Sequence, residues 1–213
     1  RGHGLPLASA IRTGLVELKQ TLRNLPNHPQ LWRFLLARML FNDGLNTLFA
    51  FGGIFAAGTF GMPVAEVIMF CLILNITAGV GAFLFGWIDD RIGAKATILI
   101  GIVGIVVVGT PLLIVESKLV FIILGAALEV FFGPVQAASR SMMARVTPPG
   151  RESEMFGLYA LSGKATAFMG PWAVAVVTAA TGSQRWGMAT VLPFLIIGGL
   201  LLLFTVRDMP PRR

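Results

Sequence analysis

The sequence predicts an all-α membrane protein of six transmembrane helices, and three observations carry that prediction. Apolar side chains make up 55% of the 213 residues and charged ones only 13%, with a mean hydropathy of +0.80; a soluble domain carries about a quarter charged residues. Six apolar runs are each long enough, at about 20 residues, to cross a hydrocarbon core of roughly 30 Å. Their apolarity is continuous rather than alternating, which selects helices over barrel strands, because a helix satisfies its backbone groups within its own segment.

Composition also removes several function classes. The single cysteine, Cys71, excludes a disulfide framework and any cysteine-cluster metal site. Both histidines, His3 and His28, precede the first apolar run, so no span offers an imidazole for nucleophilic or metal chemistry. Ser162 has no histidine in any span to activate it, and Gly163-Lys164-Ala165-Thr166 lacks the upstream glycine of a phosphate-binding loop. No cofactor, metal or catalytic residue is expected. The net charge of +7 and a pI near 10.8 would suggest nucleic acid in a soluble chain. Here the basic residues flank apolar runs, as membrane topology demands.

The elements follow in order. Within residues 1–30, Ile11, Leu15, Leu18, Leu22 and Leu25 recur at helical spacing with Arg12, Lys19 and Arg23 off the stripe, ended by Pro26 and Pro29. This predicts a cytoplasmic amphipathic helix, lying on the membrane surface or serving as a linker. Residues 31–207 form the six-helix bundle, with spans at about 34–60, 64–88, 96–115, 119–143, 155–180 and 187–206, and 208–213 form a cytoplasmic tail. Twelve Lys and Arg residues fall on the side of the termini, among them Arg33, Arg91, Lys95, Arg145, Arg151 and Arg207; Lys118 and Arg185 fall on the other. The positive-inside rule puts both termini in the cytoplasm. The initial Arg and absence of a signal peptide are read as those of a fragment or processed product.

Ionisable groups at membrane depth cost about 2.5–3.5 kcal/mol each and so need a partner or a wet cavity. Arg38, Asn42 and Asn46 share one face of the first span beside Asp43; Glu129, Gly133, Gln136 and Arg140 share one face of the fourth. Asn75 lies in the second span and Lys164 in the fifth. At ~1.5 Å per residue, Glu129 and Lys164 are both roughly 14–15 Å deep, and Asp43 and Asn75 are near the same level. One polar layer at the midplane is expected, the place of a substrate or ion path; a network that only fixes helix packing is the alternative. Gly133-Pro134 and Gly170-Pro171 interrupt the fourth and fifth spans, as kinks.

Gly86-Trp87-Ile88-Asp89-Asp90-Arg91-Ile92-Gly93-Ala94-Lys95, between the second and third spans, resembles the cytoplasmic signature of the major facilitator superfamily. Ala94 stands where a basic residue is usual, and Asp89 adds a second acid. Phe41-Asn42-Asp43-Gly44-Leu45-Asn46-Thr47, the stretch from Gly133-Pro134 through Ser141, Thr147 to Gly150, and Phe156-Gly157-Leu158-Tyr159 resemble the C-terminal half of the vacuole-effluxer-like branch of that superfamily.

The resemblance covers nearly the whole chain. It implies one half of a twelve-helix bundle, with residues 1–30 similar to the connection between halves. It implies secondary transport of small solutes, amino acids among them, by alternating access. Asn42, Asp43, Asn46, Asn75, Glu129, Gln136 and Lys164 are the expected pathway, with Asp43 or Glu129 coupling transport to protons. Gly86, Asp90, Arg91, Gly93 and Lys95 are the expected gate, Asp90 and Arg91 forming a breakable pair; Arg38 and Arg140 are further buried or rim charges. The expected partners are lipid, a small-molecule substrate and an upstream six-helix half or second copy. The expected location is a bacterial cytoplasmic membrane, and the alternative function is a non-transporting scaffold or assembly subunit.

Overall fold

The computed structural model describes residues 29–207 except Pro149. The expected helix within 1–30 lies almost wholly outside these residues, and the expected tail lies wholly outside them. Among the described residues there are eight helices and no strand. They are α1 Pro29–Phe60, α2 Val64–Ile92, α3 Ala94–Ile114, α4 Lys118–Val146, α5 Glu152–Ala165, α6 Met169–Thr181, α7 Gln184–Ala189 and α8 Val191–Thr205.

Four stretches are long and apolar enough to cross a membrane: α2, α3, α4, and α7 with α8 taken together as Gln184–Thr205. The chain is an integral membrane protein. Helix α1 has the length, at 32 residues, but Arg38, Asn42, Asp43 and Asn46 reduce its apolarity. The expected fifth span is not continuous. It is broken at 166–168, where the Met169 amide donates to the Thr166 carbonyl at 2.8 Å, leaving α5 with 14 residues and α6 with 13. Neither reaches the ~20 residues that a crossing requires.

Helix α4 is central, with α2 and α3 along its sides, while α8 runs along α1 and touches α3. The α2–α4 contact is a backbone approach. A Cβ at Gly81 would enter the Val130 carbonyl, and one at Gly133 the Ala78 carbonyl; small residues permit such contact where lipid supplies no hydrophobic drive between helices. Gly101 and Gly104 of α3 receive Val135 and Phe131 of α4. Between α2 and α3 the chain reverses at Gly93, whose φ of +90° suits a residue without Cβ. Phe60 and Phe121 stack at 4.3 Å between centroids, with Phe55 and Phe70 against Phe121 at 5.8 and 5.1 Å. This cluster closes the Phe60 end of α1.

Candidate functional site

Helices α5 and α6, with the break between them, face α1, and polar bonds join them at successive turns. Arg38 is buried; its Nη1 donates to the Tyr159 carbonyl at 2.9 Å and to Ser162 Oγ at 3.1 Å, and the guanidinium lies 3.5 Å above the Tyr159 ring. One residue on, the Met39 carbonyl accepts from Thr166 Oγ1 at 3.1 Å. Four residues further, Asp43 Oδ2 accepts from the Gly170 amide at 2.7 Å. Gly170 is in the first turn of α6, where backbone amides lack helical partners and the dipole favours an anion. A Cβ at Gly170 would strike Thr47 Oγ1, one turn beyond Asp43. Asp43 Oδ1 and Thr47 Oγ1 are buried without hydrogen-bond partners.

On the adjoining side, Gln136 Nε2 of α4 donates to Asn42 Oδ1 at 3.3 Å. Asn46, Arg140 and Lys164 are exposed on α1, α4 and α5. Three helices and a helix break therefore present one polar face around Arg38, Asn42 and Asp43.

The structure splits the rest of the expected layer. Glu129 is 2% exposed and faces apolar side chains, beside a cavity of about 30 Å³ lined by Phe70, Leu74, Phe121 and Leu128 among others; its Oε2 has no partner. Asn75 is exposed and returns its amide to the Cys71 carbonyl of its own helix at 2.8 Å. Neither joins the Arg38–Asp43 set. The interruption expected at Gly133-Pro134 is not met: α4 runs as one helix from Lys118 to Val146 with Pro134 inside it. Along it Glu129 is buried beside apolar side chains, Gly133 is taken up by the backbone contact with α2, and Arg140 is exposed.

At the α2–α3 turn the ion pair is not Asp90 with Arg91. Asp89 Oδ1 pairs with Arg145 Nη2 of α4 at 3.1 Å, both side chains about nine-tenths buried. Asp90 is exposed and Arg91 lies over the Trp87 ring at 4.9 Å. Helical phase explains the exchange: Asp89 is on the α4-facing side, and its carbonyl also accepts from the Gly93 amide at 2.9 Å. Gly93 supplies the left-handed turn, Lys95 is half-buried, and Gly86 is exposed.

The residues that sequence reasoning passed over are Thr47, Asp89, Arg145, Tyr159 and Gly170 as a hydrogen-bond donor. Gly170-Pro171 held the signal for the last of these. Proline in a first helical turn marks a start as readily as a kink.

The chain matches the family described as vacuole effluxer Atg22 like over residues 1–209. It is 27% identical over 191 residues to the uncharacterized MFS-type transporter YxiO of Bacillus subtilis, covering 90% of this chain and 44% of that protein. It is 25% identical over 218 residues to autophagy-related protein 22 of Cryptococcus neoformans, covering 92% of this chain and 38% of that protein. With the namesake of Candida glabrata the figures are 27% over 177 residues, 76% and 32%. The chain thus spans less than half the length of these curated relatives. By the match along nearly all of its length, it belongs to the vacuole effluxer Atg22-like family.

Proposed function

We propose that this chain is the C-terminal half of a secondary active transporter of small solutes, a six-span bundle with both termini cytoplasmic that works by alternating access against an upstream half. The observation that carries this reading is the broken helix α5–α6, with Asp43 on the free N-terminus of α6 and Arg38 bound to α5. Discontinuous helices whose exposed ends meet charged groups are a recurring feature of transporter sites. The exposed polar groups beside it, Asn46, Arg140 and Lys164, are suited to a water-filled passage between two halves and poorly suited to lipid. Similarity to an MFS-type transporter and to autophagy-related protein 22 supports the same reading. A bacterial cytoplasmic membrane is the proposed location, and amino acids are among the proposed solutes.

Asp43 is the proposed proton-coupling acid. Its Oδ2 holds the start of α6, so a proton on the carboxyl weakens the bond that fixes the break and frees α6 to move. Glu129 makes no hydrogen bond or ion pair among the described residues, and Phe70, Leu74, Phe121 and Leu128 line the small cavity beside it. The Asp89–Arg145 pair, with Gly93 at the turn, is the proposed gate latch.

A scaffold reading draws on Glu129 and Asn75, which are sealed or self-bonded rather than joined to a pathway. Cysteine labelling separates the two. In the native-length protein with Cys71 replaced, Asn42→Cys, Asn46→Cys and Gln136→Cys react with a water-soluble thiol reagent if a passage opens there. Uniform protection of all three favours the scaffold. In proteoliposomes, Asp43→Asn abolishes pH-driven uptake; if Asp43→Asn and Glu129→Gln both leave it intact, the coupling assignment fails.

A further inference from the structure

Helix α8 sets two consecutive glycines on two different neighbours. A Cβ at Gly198 would strike the Phe41 amide nitrogen of α1, and one at Gly199 would fall 3.3 Å from Ile102 Cγ2 of α3. Between α8 and α3 lies a groove of about 200 Å³, floored by Ile102 and Gly199 and walled by Val103 and Val107 on one side and Leu200 and Leu203 on the other. The four wall residues are exposed, and every residue that lines the groove is apolar. Both helices belong to stretches long and apolar enough to cross a membrane. Helix α3 packs on α2, α4, α7 and α8, whereas the polar face is built by α1, α4, α5 and α6. The groove lies outside that face, where hydrocarbon meets the bundle.

One end of the groove is basic. Two contacts fix an antiparallel register: Gly199 against Ile102, and Gly109 against Leu192, whose Cδ2 is 3.8 Å from a Cβ placed there. Seven residues back along α3 match seven forward along α8, and the same step again brings Lys95 level with Val206, beside Arg207. Lys95 stands one turn before Leu99, which lines the groove, and so on the same face of α3. Arg33 joins this end, its Nη1 donating to the Thr205 carbonyl at 3.5 Å, and the Arg207 amide donates to Gln30 Oε1 at 2.8 Å. The ion pairs among the described residues are Lys118–Glu66, Arg145–Asp89 and Arg151–Glu154, so Lys95, Arg33 and Arg207 enter none of them. Beyond Arg207 the sequence adds one acid, Asp208, and two more arginines, Arg212 and Arg213.

From Leu99 to Val107 the groove is ~12 Å long at the helical rise, and one leaflet's share of the hydrocarbon core is about 15 Å. We propose that this groove holds an acyl chain of a phospholipid with a net negative headgroup, its phosphate set on Lys95 and Arg207. An apolar channel of one leaflet's depth with cations at its mouth matches the two parts of such a lipid, and a zwitterionic lipid forgoes the second. The site rests on the membrane location of the chain and is independent of transport.

The test is native mass spectrometry of the native-length protein, titrated in detergent with dioleoyl-phosphatidylglycerol and with dioleoyl-phosphatidylcholine, which share their chains and differ in net charge. Phosphatidylglycerol binds about tenfold or more tightly, the scale of two basic side chains near an anionic headgroup. Lys95→Gln combined with Arg207→Gln brings the two lipids to within about threefold. Val103→Trp, which fills the groove from an exposed position and leaves the charges in place, removes one bound phosphatidylglycerol per protein, and Val107→Trp repeats the reading where Val103→Trp does not fold. Arg207→Gln alone decides where the double variant does not fold: a preference lowered about threefold or more supports the site, and an unchanged one overturns it. Equal binding of the two lipids, full preference in the folded double variant, or a lipid count unmoved by the tryptophan also overturns it; an upstream half lying over the groove would give the last of these. Glycerol 3-phosphate, which carries the phosphate without chains, displaces no lipid when in large excess, and displacement would overturn the groove as the anchor.

Discussion

Around the Phe60 end of α1, rings pack on rings: Phe60, Phe70 and Phe55 surround Phe121 at centroid distances of 4.3, 5.1 and 5.8 Å. Halfway along the same helix, Arg38, Met39 and Asp43 meet α5 and α6 through hydrogen bonds, three of the four to or from backbone groups. The first kind of contact is non-directional and asks only for volume. The second is addressed to particular atoms at a helix break, and it fails when those atoms move. The proposed alternating-access function calls for both, an end that holds and a stretch whose bonds can be exchanged.

Substitution separates the two regimes. The largest effect falls on the ring cluster: Phe121→Ala costs about 3 kcal/mol, the low end for a buried phenylalanine because lipid rather than water receives the chain in the unfolded reference state. Phe121→Leu costs about 1 kcal/mol, so thermal melts in detergent show a region tolerant of shape. Gly170→Ala comes next, at about 2 kcal/mol, since the methyl displaces Thr47 Oγ1 or shifts α6. Pairing it with Thr47→Ala recovers about 1 kcal/mol; a purely additive double mutant would mean that the two residues do not meet. Asp43→Leu leaves the Gly170 amide unpaired and costs about 2 kcal/mol, whereas Asp43→Asn retains an acceptor and costs about 1 kcal/mol, and the Asn variant is the one that tests the proposed proton coupling. The smallest effects separate two neighbouring acids: Asp89→Asn lowers stability by about 1 kcal/mol by breaking the pair with Arg145, while Asp90→Asn changes it by less than about 0.5 kcal/mol. Equal losses at the two positions would undo the reassignment of the pair.

Much of the helical pattern was legible in the sequence. The starts of the second, third and fourth spans are met within two residues, at Val64, Ala94 and Lys118, because long apolar runs bounded by charges leave little freedom in where a helix lies. The interruption of the fifth run was legible at Gly170-Pro171, since Pro171 cannot donate to the carbonyl of Ala167, which lies in the break at 166–168. What was not legible is the set of bonds that tie the break to α1, and such bonds belong to tertiary structure. The site divides along the same line. Arg38, Asn42 and Asp43 stood out because charge and amide are costly at depth, and Asn42–Gln136 is joined across two helices. Glu129 stood out equally, but it lies buried beside Phe70, Leu74, Phe121 and Leu128, apart from the Arg38–Asp43 set. Asp89 read as surplus beside Asp90, although a shift of one residue, 100° around the helix, decides which of them faces α4.

Tyr159 is the chain's one tyrosine, and its ring lies under the Arg38 guanidinium. Fluorotyrosine in place of tyrosine therefore labels this stretch of chain at one position, and its fluorine chemical shift reports on the packing of α1 against α5 beside that cation.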